Sequence, residues 1–169
     1  NVDNIIYDPL EKKINFIDLH RSRYMDYVQD VSVFMVSNYR LQIFDIPLRR
    51  RILMLTREFY RFAADFARKS GDETFEPRLA LGLARSFATS TRFILDKSLA
   101  RAMFLRARYL LEQVLAADLK EPASFRVPVK EIFIGCIQNR YHRYTGQVVN
   151  GDSGRCRCGK DRTPAGNRY

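Results

Sequence analysis

Asn4 and Asp18 carry the side chains best suited to chemistry, and they flank a stretch that reads as a β-hairpin. Asn4-Ile5-Ile6-Tyr7 is β-prone. Asp8-Pro9-Leu10-Glu11-Lys12 has turn chemistry, and Lys13-Ile14-Asn15-Phe16-Ile17 alternates polar and apolar before stopping at Asp18. A hairpin folds one strand back on the other, so its entrance at Asn4 and its exit at Asp18 come close in space. An amide oxygen and a carboxylate meeting there could hold Mg²⁺, which takes hard oxygen ligands. Beyond them, His20, Arg21 and Arg23 are candidates to contact phosphate or substrate. Each also has a plainer reading: Asp18 and Asn4 as turn residues, the two arginines as solvated side chains.

The order of residues extends this constellation. Phe16-Ile17-Asp18-Leu19-His20-Arg21-Ser22, then Asp26, then Asp30-Val31, closely resembles the metal-binding segment of aminoglycoside phosphotransferases and related small-molecule kinases. In that family a strand ends in Ile-Asp, a short loop follows, and a second Asp starts a helix. The opening Asn1-Val2-Asp3-Asn4-Ile5-Ile6-Tyr7-Asp8 resembles the end of the family's catalytic loop, His-Gly-Asp followed by four residues and Asn. The resemblance implies a protein-kinase-like fold represented by its helical C-lobe, with ATP and Mg²⁺ as cofactors of the intact enzyme. It implies that Asn4 and Asp18 are Mg²⁺ ligands and that Asp30 supports the catalytic loop. The proton-accepting aspartate would lie two residues before Asn1, with the nucleotide-binding N-lobe further upstream. The 169 residues alone would then be an inactive fragment.

These residues need a scaffold, and the remaining pattern is helical. A helix is expected from Asp30, with Val31, Phe34, Met35 and Tyr39 on one face. Asp45-Ile46-Pro47 starts the next, whose stripe Ile52, Leu55, Phe59, Phe62 and Phe66 reads as core and which ends at Ser70-Gly71. Pro77 opens a third helix, with Leu79, Leu83, Phe87 and Phe93-Ile94 for burial. Ser98 is expected to cap a fourth, with Leu99, Met103, Ala107, Leu110 and Val114, ending at Glu121-Pro122. Glu131 to Cys136 fits a short helix or a strand. The predicted fold is mainly α with a short N-terminal β-hairpin. Residues 1–145 form the domain and 146–169 a basic, disordered tail.

Composition bounds the function. The chain carries a net charge of +10, and half of that lies from Cys136 onward, where seven basic residues face Asp152 and Asp161. A basic lobe favours an anionic or neutral acceptor, such as a saccharide, over a cationic antibiotic. The same charge supports an alternative, a basic helical module binding RNA or another polyanion. No apolar run approaches the length of a membrane helix, and the first residues lack the pattern of a signal peptide. With three cysteines and no such leader, a reducing, cytoplasmic setting is expected. Cys156-Arg157-Cys158, with Cys136 and His142, has the wrong spacing for structural zinc.

Overall fold

The computed structural model describes residues 1–21, 24–43 and 45–133. Arg23, His142, the three cysteines and residues 146–169 lie outside them, as does the proposed boundary at 145. The described chain is mainly helical and begins with one antiparallel hairpin, in agreement with the expected fold class. Strand β1 is Ile5–Asp8 and β2 is Lys13–Phe16, paired Ile5 to Phe16, Ile6 to Asn15, Tyr7 to Ile14 and Asp8 to Lys13. The Asp8 carboxylate closes the turn by accepting from the Leu10 and Glu11 amides, at 2.9 and 3.1 Å. Directly opposed residues share a face, so Ile5, Tyr7, Ile14 and Phe16 form one apolar ladder. Most of it is open: Tyr7, Ile14 and Phe16 are about 60% exposed.

Five helices follow: α1 Tyr27–Arg40, α2 Ile46–Lys69, α3 Phe75–Ser90, α4 Lys97–Ala116 and the short α5 Val129–Phe133. Aspartates begin three of them. Asp26 accepts from Val28 N–H, Asp45 from Leu48 N–H, and Asp96 from Ser98 and Leu99 N–H. Two expectations are corrected by this. Helix α1 starts at Tyr27 rather than Asp30, because Asp26 is extended and capping there, and Asp30 falls in the first turn. Helix α4 is capped by Asp96, and Ser98 is already helical, supplying the capped N–H. One helix start and one helix end also move, and Phe93, expected to be buried, lies in a turn beyond α3 and is 64% exposed. Helix α3 begins at Phe75, with Pro77 in its first turn, and α4 stops at Ala116, where Ala117 turns extended. Helix α2 ends as expected at Ser70-Gly71. Gly71 has φ 68°, the left-handed geometry of a helix stop, while Asp72 N–H and Gly71 N–H return to the Ala67 and Arg68 carbonyls.

Helix α3 is the inner wall, with α1 and α4 packed against it. The core residues Leu79, Leu83 and Phe87 of α3 meet Met35 of α1 and Met103 and Leu110 of α4, all fully buried. Tyr39, Phe87 and Phe133 form an aromatic triangle with centroids 5.4–6.0 Å apart. The expected stripe of α2 is half wrong. Thr56, Ala63 and Ala67 are its buried residues, while Leu55, Phe62 and Phe66 are exposed by 53%, 69% and 51%. The helix rests on α1 through small residues and Phe59, so its largest apolar side chains point sideways.

Small residues also let α1 and α3 approach. A Cβ on Gly82 would lie 3.0 Å from both Cβ and Oγ of Ser32. Gly82→Val forces the two helices apart and should cost about 1–3 kcal/mol of stability. Urea unfolding checks this, and an unchanged midpoint would refute the close-packing argument.

Candidate functional site

The hairpin brings Asn4 and Asp18 to its open end. Ile17 N–H donates to the Asn4 carbonyl at 3.0 Å, so the ladder runs one pair beyond β1 and β2, and Asp18 follows directly. Asp18 sits at φ 57°, in the left-handed region that a non-glycine residue occupies at a cost of about 1–2 kcal/mol. Aspartate tolerates that geometry better than most. Its carboxylate pairs with His20 Nδ1 at 2.8 Å, which orients one oxygen. Arg21 closes the single 3₁₀ turn Leu19–Arg21. The backbone thus places Asn4, Asp18 and His20 at one end of the hairpin, where the Asp18 and His20 side chains meet. Asp30 is exposed on the first turn of α1.

The segment before β1 is held by α1. Val2 N–H donates to Ser37 Oγ at 2.9 Å, and Arg40 donates to Asp3 at 2.8 Å and to the Asn1 side chain at 3.3 Å. Residues Val2–Asn4 form a 3₁₀ turn on this tether. Neither Ser37 nor Arg40 was singled out in the sequence. Ser37 belongs to a helix interior, and an arginine in a last helical turn usually meets water or the helix dipole. The only advance signal was that a helix follows the hairpin closely enough to carry it.

The far end of the site segment is held by α3. Arg78 pairs with both Asp26, the cap of α1, and Asp72, the residue after the α2 stop. Tyr27 O–H donates to Asp72 at 2.6 Å, and the Arg78 guanidinium lies 5.8 Å over the Tyr27 ring. Burial of Asp72 pushes its carboxyl up, but the hydrogen bonds from Tyr27 and Thr74 and the Arg78 charge outweigh it, and the net shift is downward. Burial, then the bond to Asp72, pushes the Tyr27 phenol up to about 12.

The donor set at the open end consists of an amide and a carboxylate, both hard oxygen ligands. Among the described residues no group of three or more His, Cys, Asp or Glu could hold a metal by itself. A cation at Asn4 and Asp18 would thus need further ligands from water or from a bound anion, as Mg²⁺ on a polyphosphate has. The residues fit such an ion in type. Comparison with protein-family models, curated proteins and solved structures returns no match to this chain.

The clamp around Asp72 predicts an acid dependence. With its folded pKa lowered, Asp72 supplies stability in full above its ordinary value of 3.8 and loses it as pH falls through the lowered one. Asp72→Asn should therefore cost about 1–2 kcal/mol near neutral pH. The gap in thermal midpoint between the two proteins should narrow below the ordinary carboxylate range. A gap that stays constant with pH would show that the charge of Asp72 contributes nothing.

Proposed function

We propose that this chain is the C-terminal lobe of an ATP- and Mg²⁺-dependent phosphotransferase of the aminoglycoside-phosphotransferase type, which phosphorylates a hydroxyl of a small molecule or saccharide. The observation that carries the reading is the strained, oxygen-bearing end of the hairpin: Asp18 held in a left-handed conformation directly after the residue that bonds Asn4. Backbone strain of this kind persists where the surroundings over-determine it, and it gathers at functional sites.

Each local feature then has a task. Asn4 and Asp18 present oxygens to a cation, and His20 fixes the direction of the Asp18 carboxylate. Mg²⁺ bound there would neutralise phosphate charge. Ser37 and Arg40 set the position of Asn1–Asn4, and with it the place of the catalytic loop that the resemblance puts before Asn1. The open apolar ladder of Tyr7, Ile14 and Phe16 is the face that a nucleotide and its binding lobe would cover. Such an enzyme works chiefly by positioning and charge stabilisation, so rigidity at Asn4 and Asp18 matters more than any single reactive group.

The test uses the coding frame that contains this chain together with everything encoded before Asn1. That frame should encode His-Gly-Asp and one further residue immediately ahead of Asn1. Its product should transfer phosphate from ATP to a hydroxylated acceptor only with Mg²⁺. Asp18→Asn should lower kcat by about 10²-fold or more, as loss of one charge-stabilising group commonly does. An Asp18→Asn protein with full activity, or turnover by the 169 residues alone, would overturn these roles.

A further inference from the structure

We infer that the groove between α3 and α4 docks an acidic amphipathic helix of a partner protein. The inference does not rest on the phosphotransfer reading. Residues 91–96 join the two helices, which pack side by side and run antiparallel. Their outer seam is floored by Ala84, Ala88 and Ala107, whose side chains are too small to fill it. Leu81 of α3 and Phe104 and Leu111 of α4 form its walls, exposed by 47%, 57% and 45%. The result is an apolar groove of about 360 Å³, open to solvent on one side. Leu115, one turn past Leu111 and 85% exposed, prolongs the wall of α4. From Phe104 to Leu115 that wall runs about 16 Å, roughly three helical turns, from the 1.5 Å rise per residue. Small ligands take enclosed pockets, whereas an open apolar trough of this length suits the apolar face of a helix, seated by residues at i, i+4 and i+7.

Charge identifies the occupant. Arg85 and Arg108 line the groove, one on each helix. Lys97 and Arg101 precede Phe104 and Arg108 on the same face of α4. The acids of the two helices do not balance them. Glu76 is buried away from the groove, bonded to Tyr60 and Val127. Glu112 is the one acid of α4 and is paired with Arg108 at 2.8 Å. Arg85 bonds the neutral Gln29 of α1 at 3.1 Å. Asp96 is engaged at the cap of α4, and Arg78 is committed to Asp26 and Asp72. Charges are mixed only where α3 begins and α4 ends, with Glu73, Asp118, Lys120 and Glu121. The middle of the groove and its Ala88–Phe104 end are therefore basic. A second copy of the chain carries the same +10, and from Cys136 onward the chain has seven basic residues against two acids, so both would meet like charge here. A nucleic acid would pair with the arginines and leave the apolar walls uncovered. A helix with apolar anchors on one face and Asp or Glu beside them satisfies both. A contact of this size belongs to the weak, transient class.

The test is an unbiased selection on the 169-residue chain, from a phage-displayed library of helical peptides about four turns long. Enriched peptides should carry apolar residues at i, i+4 and i+7 with Asp or Glu beside them, and added salt should weaken their binding. Arg85→Glu with Arg108→Glu should lower the affinity of such a peptide by about tenfold or more, and replacing the peptide's acids by lysine should do the same on the parent chain. Ala88→Gln fills the floor of the groove at an exposed position with a good helix former. It should lower affinity comparably while the melting curve of the chain stays that of the parent. A selection that enriches nothing, or enriches peptides without acids, would overturn the proposal. Undiminished binding to the Ala88→Gln chain would do so too, by placing the contact elsewhere. A dimer of the chain that dissociates on Ala88→Gln would also overturn it, and would make the groove a contact between copies.

Discussion

The distance between α1 and α3 governs where the site can be. Gly82 faces Ser32 so closely that an added Cβ would press on the serine side chain, and Ser32 and Ser86 stand 3.4 Å apart across the same contact. Helix α1 is thereby seated on α3, and α1 in turn carries the hairpin. The strands bury little of their own surface: β2 is exposed at every residue. An isolated two-stranded hairpin is marginal in water. What positions it is the short line of bonds from Ser37 and Arg40 to Asn1, Val2 and Asp3. A shift of α1 on α3 would move Ser37 and Arg40, and Asn4 with them.

Two buried charges lock the rest of the helical frame. Glu76 is 8% exposed, and accepts from Tyr60 O–H of α2 at 2.7 Å and from Val127 N–H at 2.9 Å. One carboxylate thus joins α2, α3 and the approach to α5. Burial and that bond push the Tyr60 phenol upward. Arg106, 7% exposed, donates to the Ile132 carbonyl at 2.6 Å and to Ala102 at 2.9 Å, and its guanidinium lies 4.7 Å over the Tyr39 ring. It ties α4 to α5 and to α1. Charges removed from water are tolerable only when their bonding capacity is met, so each enforces one arrangement of its neighbours more sharply than apolar contacts do. Arg49 does similar work at the surface, donating to the Tyr39 and Leu41 carbonyls and so closing the C-terminal end of α1 beside the hairpin tether.

The sequence was most legible where local chemistry decides the outcome. The hairpin was readable because alternation and the Asp8-Pro9 turn both act over a few residues. The stop at Ser70-Gly71 was readable because a left-handed residue there needs glycine. The faces of α3 and α4 followed from their spacing, since both helices are embedded and every large apolar residue on the inner face is needed. Helix α2 defeated the same logic. Periodicity shows that Leu55, Phe62 and Phe66 share a side, but the neighbour decides which side is covered. Here Ala63 and Ala67 are buried beside Phe59 against α1, while Leu55 and Phe62 stay out and Phe66 meets only the edge of the interface at Tyr27. The tethers at Ser37, Arg40, Asp26 and Arg78 were illegible for a related reason. Each joins residues 35 to 52 positions apart, and nothing in the local pattern of a serine or an arginine names its distant partner.

The hairpin and helix α2 sit on opposite sides of one mechanical problem. The proposed role would need the oxygens of Asn4 and Asp18 fixed, yet the hairpin that bears them is largely exposed. Local stability scales with buried contact, so this hairpin belongs to the segments that open most readily. The bonds from Ser37 and Arg40 to Asn1, Val2 and Asp3 restrict the open end without packing the strands. Coverage of the apolar ladder would then complete the ordering of Asn4 and Asp18. Helix α2 has no comparable requirement, since its frame is already set by Glu76, Tyr60 and the α1 contact.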